Sequence, residues 1–79
     1  MIYLISFTDK TRTFYKLFSA GTSTFSANSI PEVLENDFGR SSAKTKEELF
    51  KLYYKENPKV IAQAETIEKL KKDYPELLI

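Results

Sequence analysis

Residues 2–18 read IYLISFTDKTRTFYKLF, and the way this stretch folds decides the architecture of the chain. Ile2 to Phe7 is dense in β-branched and aromatic side chains and too short for a helix, which marks it as a strand. Alternate side chains of a strand point to opposite faces, so Tyr3, Ile5 and Phe7 share one face and Ile2 and Leu4 the other. Both faces begin apolar, as expected of a central strand covered on both sides or covered by a partner. Thr8-Asp9-Lys10-Thr11-Arg12 reads as a turn in which Asp9 folds back onto neighbouring backbone N–H groups. Thr13 to Phe18 then returns as a second strand, with Phe14, Lys16 and Phe18 opposite Thr13, Tyr15 and Leu17. A helix from Asp9 to Ala20 stopped by Gly21 competes with this reading, and the hairpin is preferred.

Beyond the hairpin, Ser19 to Ser29 holds six hydroxyl residues in eleven, with Phe25 as its one large anchor. It reads as a short edge strand around Ser23–Ala27, kept polar against aggregation, or as an ordered loop. Ser29-Ile30-Pro31-Glu32 is a capping box, which predicts a helix from about Ile30 to Phe38 with Gly39 as its stop. Arg40 to Lys44 is a polar connector. Thr45-Lys46-Glu47-Glu48 opens the clearest helix, which is expected to run to Asn57-Pro58. At 100° per residue, Leu49, Phe50, Leu52, Tyr53 and Tyr54 span an apolar arc of about 200°, wider than the ~100° stripe of an ordinary surface helix. Lys59 to Ala64 fits a strand or the start of a long helix, and the strand is preferred because Val60 and Ile61 are β-branched and Thr66 gives a fresh helix start. Thr66 starts a last helix, with Ile67, Leu70 and Tyr74 on one face and Glu65–Lys69 and Glu68–Lys72 as i,i+4 pairs. Pro75 ends it, ahead of an aliphatic tail.

These signals predict a single small α+β domain over residues 1–79. Its sheet is small and mostly antiparallel, built from the N-terminal hairpin plus one or two further strands, with two or three helices packed on one face.

The composition narrows function by exclusion. Histidine and cysteine are both absent. There is then no thiol or imidazole nucleophile, no imidazole base, no zinc thiolate site and no disulfide. Lysines and carboxylates remain, but acid–base chemistry needs a partly dry concave site to shift their pKa values, and 79 residues leave little room for one beside a core. No enzyme, metal or cofactor is expected. Glu32, Glu35, Asp37, Glu47 and Glu48 read as solvated helix faces and favourable charges at helix N-termini. Twelve Lys+Arg against eleven Asp+Glu leave a net charge of +1, short of the basic excess that duplex-DNA binders carry. No apolar run reaches the ~18 residues that cross a bilayer, and no basic segment precedes Ile2 to Ile5, so the expected location is cytoplasmic.

Two constellations carry the functional expectation. The over-wide helix face at Phe50, Tyr53 and Tyr54, together with Leu77, Leu78 and Ile79, has the aromatic and aliphatic character of a protein interface. It points to a non-catalytic protein–protein interaction module: a small inhibitor or adaptor of the kind phage and mobile elements encode, or a self-associating subunit such as a homodimer. The plainer alternative wedges the helix between the sheet and a neighbouring helix. The second constellation, Lys10, Arg12, Tyr15 and Lys16, interleaves cations and an aromatic ring, the raw material for binding single-stranded nucleic acid. Its plainer alternative is a hairpin with aromatics in the core and cations in water.

Overall fold

A computed structural model describes residues 1–78. The hairpin forms as read, with β1 (Ile2–Thr8) antiparallel to β2 (Thr13–Ser19) and the register running from Tyr3↔Phe18 to Thr8↔Thr13. Asp9 closes the turn. One carboxylate oxygen accepts from the Thr11 N–H at 2.8 Å, the Thr11 hydroxyl at 2.9 Å and the Arg12 N–H at 3.0 Å. The competing helix over residues 9–20 is therefore ruled out by the ladder itself.

Three further strands complete the sheet. After a tight turn at Ala20-Gly21, where Gly21 takes a positive φ of 76°, come β3 (Thr22–Ser23) and β4 (Gly39–Arg40), with β5 (Lys59–Ala64) antiparallel to β1 on the other side. The order is β4-β3-β2-β1-β5, and every pairing is antiparallel. The expected strand at 59–64 is present. The edge beyond β3 is formed by β4, whose Gly39 is expected from sequence as a helix stop and whose Arg40 is expected to open a polar connector.

Each of the three helices starts at a hydroxyl cap. Ser29 accepts from Glu32 N–H at the head of α1 (Ile30–Val33), Thr45 from Glu48 N–H at α2 (Lys46–Leu52), and Thr66 from Lys69 N–H at α3 (Ile67–Asp73). α3 ends before Pro75 as read, but the ends of α1 and α2 differ from expectation. α1 spans only four residues, and Gly39, whose φ is not positive, pairs with Ser23 in the sheet instead of capping a helix. α2 stops at Tyr53, and a 3-10 turn over Tyr54–Glu56 leads to Asn57, held left-handed at φ 49°. The Asn57 side-chain amide donates to Thr8 C=O at 3.2 Å, which ties this exit to the end of β1. A second 3-10 turn, Pro75–Leu78, follows α3.

Because β1 and β2 are apolar on both faces, the sheet supports two cores. Leu4, Leu17, Ala62 and Ala64 meet Val33, Leu34 and Leu70 from α1 and α3 on one face. Ile5, Phe7, Phe14 and Phe18 meet Leu49 of α2 and Ala43 on the other. Phe7 and Phe14, directly opposed in the ladder, stack with centroids 5.1 Å apart. Two helices thus share one face, as expected of the α+β reading, and the third lies on the opposite face.

Candidate binding surface

The segment after β3 is built around a substitution of side chain for main chain. Thr24 N–H donates to Leu17 C=O at 3.0 Å, but Leu17 N–H donates to the Thr24 hydroxyl, also at 3.0 Å, in place of a carbonyl. The Thr24 side chain is fully enclosed. Main-chain pairing resumes at Tyr15↔Ala27, where both N–H···O=C bonds form. From Leu17 to Tyr15 is two steps, but from Thr24 to Ala27 is three, so the outer chain carries one extra residue and bulges. Phe25 and Ser26 lie on the bulge, and the Asn36 amide pins it by donating to Phe25 C=O at 3.2 Å. Phe25 is left 86% exposed on a backbone that neighbouring hydrogen bonds hold in place.

Beside this ring is a cavity of about 300 Å³, lined by Lys16, Phe25, Asp37, Phe38, Gly39 and Arg40 among others. Gly39 contributes no side chain; a Cβ placed there would meet only the Ser23 carbonyl oxygen, at 4.0 Å. Lys16 is held by Tyr53 of the α2 exit, donating to its hydroxyl at 3.1 Å with Nζ 5.1 Å from the ring centroid. A second hollow of the same volume lies at the start of α2, near Met1 and Tyr3, where Lys46 lies over the Tyr3 ring at 4.7 Å.

The break at Tyr53 divides the expected apolar arc of α2. Leu49 is in the core, and Phe50 and Tyr53 are half-buried against it, Tyr53 packing on Phe7 with centroids 4.8 Å apart. Leu52 and Tyr54 remain 59% and 69% exposed. In the tail, Leu77 packs against the α1/α3 core, Leu78 is 38% exposed, and Ile79 lies outside the described residues.

The four residues of the nucleic-acid constellation do not share a surface. Tyr15 sits on the α1/α3 face, partly covered, while Lys16 is on the α2 face. Arg12 stacks over Phe14 at 4.7 Å, and Lys10 is exposed in the turn. Lys16 alone of the four reaches the cavity. Among the described residues no group of three or more acidic side chains is placed to hold a metal ion, and no helix is long and apolar enough to cross a membrane.

Phe25 stands out in the sequence as the one large residue in a hydroxyl-rich stretch. Nothing in its immediate neighbours indicates that it faces water, because that follows from Thr24 replacing a carbonyl in the pairing with Leu17 and from the Asn36 amide bonding the Phe25 carbonyl. By fold the chain is a small α+β domain: an antiparallel five-stranded sheet with helices on both faces. No family model, curated protein or solved structure matches it.

Proposed function

We propose that this chain is a non-catalytic protein-binding module, acting as an inhibitor or adaptor, with its contact surface centred on Phe25. One observation carries the reading: a phenylalanine 86% exposed on a pinned backbone, beside a cavity. Both faces of the sheet are already covered by the chain's own helices, so the ring is not needed by either core. Large aromatic side chains set at a pocket are the typical anchors of protein interfaces, and a fixed backbone reduces the ordering cost on association. The absence of histidine and cysteine agrees with a role carried by shape and charge. Tyr54 and Leu52 supply further apolar contact at the exit of α2.

The test is affinity capture from the source cell, comparing the wild type with Phe25→Ser and with Lys71→Ala on α3. The expected result is a partner retained by the wild type and by Lys71→Ala and lost from Phe25→Ser, with the melting curve of Phe25→Ser unchanged. Identical captured proteins for all three chains, or none for any, would overturn the reading.

A further inference from the structure

Building on the protein-binding reading, we infer that the Phe25 cavity takes an acidic, extended peptide segment. The segment runs along the free edge of β4 and places one apolar side chain between Phe25 and Phe38. Four features select this occupant.

β4 is the outermost strand on its side and pairs only with β3. Among the described residues, no main-chain hydrogen bond joins its outer edge to another part of the chain. Gly39 pairs with Ser23 on the inner side, so the outward main-chain groups of β4 are the Arg40 N–H and C=O, one donor and one acceptor for an incoming main chain. Gly39 lets that main chain approach, since the strand carries no side chain there and has open space around it.

The cavity walls set the side-chain preference. Phe25 and Phe38 supply two exposed rings, Phe38 being 36% exposed. An aliphatic or aromatic side chain seated between them removes apolar surface from water on both sides.

Charge sets the sign of the partner. Lys16 and Arg40 line the cavity against Asp37 alone. Arg12, held over Phe14, adds a cation on the β2 face that carries Lys16. Carboxylates are therefore the matching groups. Asp37 separates a peptide from a phosphate chain: it accepts hydrogen bonds from peptide N–H groups, which a phosphate chain lacks.

The experiment is fluorescence anisotropy of labelled hexapeptides on the intact chain. The probes are EDFLDE, its charge-inverted form KRFLRK, the apolar-deleted form EDGGDE and a twelve-nucleotide oligothymidylate. EDFLDE is expected to bind with a Kd below about 1 mM, at least about tenfold more tightly than the other three. Phe25→Ser and Arg40→Glu should each weaken it about tenfold or more, and Lys16→Gln, which removes the charge, should weaken it as well. In amide spectra the Gly39 and Arg40 signals should shift on titration.

No binding of EDFLDE at 1 mM, equal binding of both charge forms, or an unmoved β4 would overturn the inference. Preferential binding of oligothymidylate would also overturn it and move the site to nucleic acid. A natural partner lost from Phe25→Ser while EDFLDE fails to bind removes only the acidic-strand inference. Binding of EDFLDE without any captured natural partner removes only the inhibitor or adaptor reading.

Discussion

The Thr24 hydroxyl stands where the ladder would otherwise require a carbonyl, and the Leu17 N–H depends on it at 3.0 Å inside the fold. Thr24→Val keeps the shape and removes the acceptor, leaving a buried N–H unpaired. Such a group costs about 1–3 kcal/mol, so urea unfolding should show a loss of that size, while Thr24→Ser should recover most of it. Asp9 offers a pH test at the same scale. Hydrogen bonds from the Thr11 backbone, the Thr11 hydroxyl and the Arg12 backbone hold its carboxyl below the ordinary value of 3.8. Its folded-state pKa is depressed, so the support it gives the turn is present above the unfolded-state pKa. That support is lost as pH falls through the lower folded value. A carbon-detected titration should place the Asp9 midpoint below 3.8, with the Thr11 and Arg12 amide signals moving in step; a midpoint at the ordinary value would mean that the turn does not form.

Among the elements, α2 shows how a local ending redistributes exposure. A continuous helix would have placed Tyr53 and Tyr54 100° apart on one cylinder. With the helix stopping at Tyr53 and Asn57 turning the chain left-handed, Tyr53 folds onto Phe7 and Lys16, and Tyr54 points into solvent. Tyr53→Ala should therefore lower stability by about 1–3 kcal/mol in thermal or urea unfolding, whereas Tyr54→Ala should stay within about 0.5 kcal/mol. Equal losses would mean that both rings are packed in solution. The helix starts were legible because each is set by one hydroxyl and the residues just after it. The end of α3 at Pro75 was legible too, but the ends of α1 and α2 were not, since they depend on distant partners: Ser23 for Gly39, and Thr8 for Asn57.

For the whole molecule, β1 and β2 belong to both cores, so the two sides should unfold together. Leu17→Ala opens the α1/α3 core and Leu49→Ala the α2 core, each at a cost of about 2–5 kcal/mol. In a domain of this size ~1 kcal/mol corresponds to roughly 4–8 °C in Tm, so each variant should show one lowered transition, coincident by far-UV circular dichroism and tyrosine fluorescence. Separate transitions would mean that the cores are independent. Two-sided burial of β1 was already visible in Ile2, Leu4, Tyr3, Ile5 and Phe7. The choice of face for each helix was not, because a single apolar stripe fits either side of a sheet that is apolar on both.

What the amino-acid order settles alone is local: the first strand, the three hydroxyl caps, and the exclusion of imidazole and thiol chemistry. Each depends on residues within a few positions of one another, where alternation and short-range hydrogen bonding leave few options. Tertiary structure decides the rest: that residues 13–19 pair as a strand and do not coil as a helix, that Gly39 becomes an edge strand, and that Phe25 stands in water beside a cavity. Those outcomes depend on contacts between segments far apart in the chain, whose energies appear only once the sheet has closed its register.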